Sequence, residues 1–467
     1  MAERDWTKAP AHAIAAAVKA GEVSALAVTE AHLARIAALN GKLGAYTDVM
    51  AERARKTAQA VDAKRASGKA PGPLAGVPFA VKNLFDVAGL ATRAGSKINR
   101  DHPPAKQDAT LVTRLEAADA VLLGALNMGE YAYDFTGRNV HDGPSRNPHD
   151  TARMTGGSSG GSGAAAAGGL AALTLGSDTN GSIRVPSALC GLFGLKPTFG
   201  ALSRAHTFPF VASLDHLGPM ARSTRDLALA FDAMAGPDAA DPACWKDAPK
   251  PVLPELDRDP SGLRIAIAGG YFRAMGQAEA FAAVDEAAAA LGAADTVEWP
   301  EAARARAAAF VITMVEGGAL HRERLKTRIG DFDPEVRDRL VAGNLLPGNM
   351  LVQAHKFRRH YCALVAKLFE QHDVFLAPAT PCTAPLVEQK TFVLDGQELP
   401  VRANLGLFTQ PISFAGLPVV TAPMPAPNGL PLGVQVIAAP GREDLALRVA
   451  HALEKQGVAI SIVPEIT

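Results

Sequence analysis

Residues Thr155–Pro197 read TGGSSGGSGAAAAGGLAALTLGSDTNGSIRVPSALCGLFGLKP. Two Gly/Ser clusters, Gly156–Gly163 and Ser177–Ser182, flank the run Ala164–Leu175. That run has the length of a buried helix, or of a helix followed by a strand. Glycine lacks a Cβ, so it lets backbone approach a ligand or adopt φ > 0 where other residues cannot. The clusters read as two turns that folding brings together over a packed scaffold. Each supplies hydroxyls and backbone N–H groups. A nucleophilic hydroxyl beside donors for an oxyanion is the inventory of acyl transfer.

Two other glycine motifs compete for this stretch. GGSSG at Gly156–Gly160 also fits G-x-S-x-G, the nucleophile elbow, which needs a strand before it and a helix after it. The preceding NPHDTARM, residues 147–154, reads as loop and argues against the elbow. A phosphate-binding loop needs Gly-Lys-Ser/Thr at the end of its glycine run, and no lysine stands there.

Working outward, Leu74–Lys82 (LAGVPFAVK) alternates Val77, Phe79 and Val81 with smaller residues, as a short strand does. Lys82 closes it. A lysine in this place either snorkels to water or is drawn inward, where desolvation leaves it a neutral amine and a base. Helices are expected over Ala25–Asn40 and Ala51–Ser67, wrapping the outside. Asp108–Asp119 and Ala120–Leu126 follow as helix then strand, the rhythm of a layered α/β sheet. Asn127–Asp150 is rich in Gly, Asn, Asp and Pro without a sustained period. A long irregular loop in a compact domain is usually functional, so it is a candidate pocket wall.

Beyond the Gly/Ser core, Leu192–Pro197 reads as loop, Ser213–Met220 follows without an assignment, and Ser223–Ala235 reads as a helix. Gly236–Gly262 mixes prolines, glycines and acids. It reads as a surface excursion rather than a boundary, because strand and helix patterns resume unchanged after it. Leu263–Gly269, Val374–Ala377, Leu417–Met424 and Leu432–Ile437 are expected strands. Glu279–Leu291, Glu301–Gly317, Leu351–Gln371 and Glu443–Gln456 are expected helices. The expectation is one large α/β domain over 1–467. Residues 1–70 form a helical wrap, 71–235 the core and 263–467 its continuation. A twisted mixed sheet carries helices on both faces, with the site in loops at one edge.

Composition excludes several classes. Lys+Arg and Asp+Glu are both 47, so nothing in the overall balance favours nucleic acid or an acidic membrane. Cys190, Cys244, Cys362 and Cys382 are scattered and form no C-x-x-C, which fits buried thiols in a reducing, cytoplasmic setting. No stretch is long and apolar enough to span a bilayer. The start, MAERDW, lacks the basic region of a signal peptide. Twelve histidines give no HExxH, and His355 and His360 read as a solvated helix face, so no metal and no cofactor are expected.

What remains is a serine enzyme without a histidine in its core, and Ser–Lys pairs do this work on unrelated folds. Gly-Gly-Ser-Ser-Gly-Gly-Ser followed by Gly-Ser-Asp-Thr-Asn-Gly-Ser-Ile-Arg-Val-Pro resembles the amidase signature family. So does the separation of Ser158 and Ser182 (182 − 158 = 24). The resemblance is dense over Leu74–Arg225 and looser through FAGLPVVTAPM and LPLGVQVIAAPG. It implies Ser182 as nucleophile, Ser158 as a relay serine in a cis peptide and Lys82 as general base. The backbone N–H groups of Thr179, Asn180, Gly181 and Ser182 would face the oxyanion, and Asp178 and Arg184 would brace the loop. Many members carry Gly-Gly before the nucleophile; here Asn180-Gly181 stands there, which leaves the pocket width beside Ser182 open.

Residues Gly129–Gly161 most resemble the carboxybiuret hydrolase branch. That implies a compact anionic amide as substrate, a homodimer and a small helper subunit. Arg138 is the expected carboxylate clamp, with Tyr131 and Gly157 as further substrate contacts. Two alternatives stand beside this reading: a glutaminase component of a tRNA-dependent amidotransferase, and a non-catalytic scaffold.

Overall fold

Apolar runs bounded by glycine and proline build the centre of the molecule. The computed structural model describes residues 4–466, and an eleven-stranded sheet runs through it. In chain order its strands are β1 (Tyr46–Val49), β2 (Pro78–Lys82), β3 (Val121–Leu126), β4 (Leu173–Asp178), β5 (Phe193–Lys196), β6 (His216–Ala221), β7 (Ile265–Gly269), β8 (Thr296–Glu298), β9 (Val374–Pro378), β10 (Val419–Pro425) and β11 (Pro431–Ala438). Across the sheet they lie β1-β3-β2-β4-β6-β5-β10-β11-β9-β7-β8. The sheet is mixed: β2 runs parallel to both β3 and β4, while β4 and β6 are antiparallel, as are β10 and β11. Helices flank it, and β2, β3 and β4 are buried along their whole length. Strands covered on both faces are expected to read as unbroken apolar runs, as PFAV and VLLGAL do.

The quoted stretch becomes turn, helix, strand, turn, helix, strand. Helix Gly160–Ala167 follows the first Gly/Ser cluster, β4 crosses the core, and helix Arg184–Cys190 follows the second cluster. Every residue from 154 to 198 is buried. Small side chains let these two helices sit close: a Cβ on Gly163 would stand 3.2 Å from Cys190 Sγ and from Pro186.

Several expectations change. Leu192–Pro197 contains β5 rather than loop, paired antiparallel with β6 and β10. Residues Asp150–Met154, read as loop, form a strand that pairs with Arg146–Asn147 in a ribbon outside the main sheet. A strand therefore does precede GGSSG, and the ground given against the elbow fails. What separates the two motifs is that this strand belongs to the side ribbon and that the serine after it contacts a lysine. The helix expected over Glu301–Gly317 continues to Arg328, and Pro334–Leu345 is a further helix the pattern had not marked. Segment 236–262 lies on the body, where Asp238 accepts from Ser203 and Thr110 and Asp241 pairs with Arg204. The site does not sit at an edge of the sheet. It lies at the carboxyl ends of β2 and β4, third and fourth of eleven strands, where parallel strand ends in α/β sheets hold ligands.

Candidate active site

Parallel pairing of β2 with β4 sets Val81 opposite Leu175, so Lys82 and Ser177 emerge side by side at the strand ends. The Lys82 side chain is fully buried. Its Nζ lies 2.7 Å from Ser158 Oγ and 2.8 Å from Ser177 Oγ. No carboxylate pairs with it among the described residues. Burial lowers the amine from its ordinary value to about 7, while Asp215, Asp178 and Asp134 pull in the opposite direction from beyond contact. An amine at this value is about half uncharged at neutral pH, where an exposed lysine is almost wholly a cation. Snorkelling is excluded.

Ser158 follows a cis peptide bond from Gly157. Gly157 N–H donates to Phe135 O at 2.9 Å, and a Cβ on Gly157 would meet Asp134 Oδ2 at 2.6 Å. Only glycine fits there. Its role is close packing against the loop wall. Ser159 Oγ donates to Ser177 O and accepts from Ser177 N–H, locking the two turns together.

The second turn carries the nucleophile candidate. Asp178 accepts from Arg184 Nε and Nη2 at 2.9 and 3.0 Å, both residues wholly buried. Burial alone would raise the Asp178 carboxyl; the Arg184 guanidinium outweighs it and holds the group below the usual carboxylate range. Arg184 also donates to Thr409 O and Gln435 Oε1, which pins the turn to the C-terminal half. Gly181 has φ +142° and packs against Thr409 so closely that a Cβ there would overlap the threonine hydroxyl. Thr179 Oγ1 donates to Asp215 at 2.6 Å, and Asn180 O accepts from Thr409 at 2.6 Å. With the turn held in this way, the backbone N–H groups of Thr179, Asn180, Gly181 and Ser182 donate to no acceptor among the described residues. Free main-chain donors on a rigid turn are what an oxyanion requires.

Ser182 is 3% exposed and lines a tight cavity of ≈ 20 Å³, room for about one water. Its Oγ makes no hydrogen bond among the described residues, so the link between the two serines is open in this arrangement. Phe135, Phe210 and Phe310 supply apolar walls. Tyr133, Asp134, Arg339, Arg402 and Gln410 supply polar ones. A larger cavity of ≈ 350 Å³ adjoins on the side of Ser177 and Asp215 and shares Ala132 and Phe210 with the first.

None of the three substrate contacts named from the sequence lines this cavity: Gly157 is packed against Asp134 and the backbone of residues 136–137, and the other two lie elsewhere. Arg138 pairs with the exposed Glu388 at 3.5 Å, away from Ser182. Tyr131 is buried behind the wall: its hydroxyl donates to Asn99, and its ring packs on Phe208, His321 and Phe332. The cations that line the cavity are Arg402 and Arg339. Arg402 is neutralised by Asp134, Asp333 and Glu335. Arg339 is largely buried, lies 5.0 Å above the Tyr133 ring and has no ion-pair partner among the described residues. Burial and the neighbouring Arg402 lower its pKa. Arg339 escaped the sequence reading because its helix, Pro334–Leu345, buries only Val336, Leu340 and Gly343. The available signal was Asp333-Pro334-Glu335, a capping residue before a proline at the first helical position. Ser177 was missed as well, although it stands in the quoted cluster.

The fold is that of a C–N hydrolase. The chain belongs to the amidase family, whose model, described as Amidase, matches residues 27–447; it is an amidohydrolase acting on C–N bonds. It is 54% identical to the AtzE component of 1-carboxybiuret hydrolase from Pseudomonas sp. (strain ADP), over 95% of this chain and 97% of that one. It is 37% identical to the A component of glutamyl-tRNA(Gln) amidotransferase from Roseiflexus castenholzii, over 93% of each. Among solved structures, one described as a vestigial protein complex that reveals the evolutionary origins of an s-triazine catabolic enzyme superposes with TM-score 0.96. It is 52% identical, with 97% of this chain and 100% of that one covered. A 6-aminohexanoate cyclic dimer hydrolase complexed with substrate superposes with TM-score 0.88 at 29% identity, covering 99% of each. No helix among the described residues is long and apolar enough to cross a membrane.

Proposed function

We propose that this chain hydrolyses the terminal C–N bond of a small anionic amide or urea derivative, of which carboxybiuret is the model, and releases ammonia. The observation that carries the chemistry is the buried, near-neutral Lys82 amine in contact with Ser158. A neutral amine has one lone pair and two N–H groups. Ser177 Oγ accepts from one N–H, which turns the lone pair toward the Ser158 hydroxyl. Lys82 takes the Ser158 proton as Ser158 takes that of Ser182, whose Oγ attacks the carbonyl. The oxyanion is received by the free N–H groups of the Asn180–Ser182 turn, each such donor contributing ~3 kcal/mol. The proton returns through Ser158 to the leaving nitrogen, and water then cleaves the acyl-enzyme by the same path. Catalytic contacts of this kind tighten when substrate is seated, which accounts for the open serine–serine link.

The unpaired Arg339 supports an anionic substrate, since a guanidinium offers two parallel donors to a carboxylate. The 54% identical carboxybiuret hydrolase chain points the same way. A small helper protein belongs to the same reading, on the strength of the neighbour described as a complex. Glutamine fits less well: its ammonium would need a free carboxylate, and those of Asp134 and Glu335 are held by Arg402.

The test is a screen of small amides, ureas and glutamine for ammonia release, with Ser182→Ala as the blank. Arg339→Met should raise KM for carboxylated substrates ~10-fold or more while leaving neutral amides little changed. Activity surviving in Ser182→Ala, or equal losses on charged and neutral substrates, overturns the reading.

A further inference from the structure

The Ser182 cavity holds two side-chain amides whose polar ends are not used up. Gln410 is fully buried and lines the cavity. Its Oε1 accepts from Arg306 Nε at 2.8 Å, and because a guanidinium only donates, this contact fixes which end of the amide is which. Gln410 Nε2 is buried with no acceptor. Asn180 lines the same cavity, its Nδ2 donating to Thr313 Oγ1 at 2.9 Å, and its Oδ1 is buried with no donor. Arg306 and Thr313 stand on one helix, Ala302–Arg328, seven positions apart and therefore two turns along one face. One rigid element thus positions both amides. Buried polar atoms without partners are rare, and each asks for an explanation. An unpaired donor and an unpaired acceptor thus belong to two residues that line one cavity, that of Ser182.

We propose that Gln410 Nε2 and Asn180 Oδ1 form a recognition pair for a ureido unit, the first donating to the carbonyl oxygen beyond the scissile one and the second accepting the N–H that joins the two carbonyls. This rests on the proposed C–N hydrolysis at Ser182 and narrows it. The site selects a chain in which N–H stands next to C=O, as in ureas and biurets, over a chain with methylene at that place. It also gives Asn180-Gly181, the departure from Gly-Gly, a purpose: the side chain at 180 supplies an acceptor that glycine cannot.

Biuret and malonamide test it, because they differ only by N–H against CH2 between two carboxamides. Both lack a carboxylate, so the outcome does not depend on Arg339. Binding is measured by calorimetry to the full-length Ser182→Ala protein, so it does not depend on turnover either. Biuret should bind ~10- to 100-fold more tightly than malonamide, the cost of leaving one buried acceptor unpaired. Asn180→Leu in that background should erase the difference. Gln410→Glu, which keeps the Arg306 contact but replaces donor by acceptor, should weaken both ligands together. Equal affinities in the parent, failure of both to bind, or a biuret preference that survives Asn180→Leu overturns the proposal. If Asn180→Leu does not fold, Asn180→Ala, which also lacks an acceptor, serves in its place. Ammonia release by the active enzyme, measured separately, tells whether the hydrolase reading stands independently of this one.

Discussion

The pH dependence of kcat/KM should reveal Lys82, and Asp215→Asn should move it. Lys82 is held at about 7 against an ordinary 10.5. At 1.36 kcal/mol per unit this is about 5 kcal/mol against the charged amine. Since kcat/KM reports the free enzyme, it should fall ~10-fold per unit below about pH 7 and level off above. Asp215 is the leading charge opposing burial at Lys82. Replacing it with asparagine removes that support, so the amine pKa drops and the acid limb moves to lower pH, by roughly 0.5–1 unit for a charge outside contact distance. The shape of the site survives. Asp215 Oδ2 accepts from Phe210 and Val211 N–H, a role asparagine oxygen can take. Thr179, a hydroxyl that both donates and accepts, can turn to receive the new amide N–H. The assay is a series of kcat/KM values from pH 5 to 9 for both proteins on one substrate. A limb that moves to higher pH in the variant, or a wild-type profile flat across this range, refutes the argument that burial sets the base.

Stability should report the same amine. Between about pH 7 and 10.5 the unfolded chain binds a proton at Lys82 that the folded chain does not, so this group makes stability rise with pH across that window. Lys82→Met removes the effect, and its Tm relative to wild type should be higher at pH 6 than at pH 9; a constant difference contradicts the depressed pKa. Breaking the buried Asp178–Arg184 pair by Arg184→Met should cost about 3–5 kcal/mol in denaturant unfolding, because it leaves Asp178 buried and uncompensated. Arg138→Ala should cost less than ~1 kcal/mol, its partner Glu388 being 82% exposed.

The parts of the site that could be read from sequence are those carried by chain-local motifs. Ser158, Ser182 and the turn at Asp178–Arg184 stand in one glycine-rich stretch, and Lys82 stands out because it closes an apolar strand. What could not be read is what comes from the other half of the chain. Arg339 and Gln410 line the cavity from helices that begin at Pro334 and Gln410. Nothing in their local sequence points at Ser182, because the approach is made by packing across the sheet. Arg138 illustrates the converse. Proximity in sequence to Ser158 suggested proximity in space, yet the 127–150 loop turns its guanidinium outward to Glu388. β5 and the Asp150–Met154 strand were missed for another reason: FGLK and DTARM are short and neither is an unbroken apolar run like the VFLA that marked β9.

The base role proposed for Lys82 requires its amine to lie within a narrow electrostatic range. Burial drives the Lys82 amine toward neutrality, and three carboxylates hold it from falling too far. Each of the three is occupied elsewhere: Asp178 by Arg184, Asp134 by Thr136 and the Gly137 N–H, Asp215 by Thr179 and two backbone N–H groups. Were any of them free to pair with Lys82, the amine would stay charged at pH 7 and lose its lone pair. Were all three absent, its pKa would sink and it would accept a serine proton less readily. On the proposed mechanism, the buried ion pairs and turn contacts around the site serve the chemistry by keeping negative charge near the lysine and out of its reach.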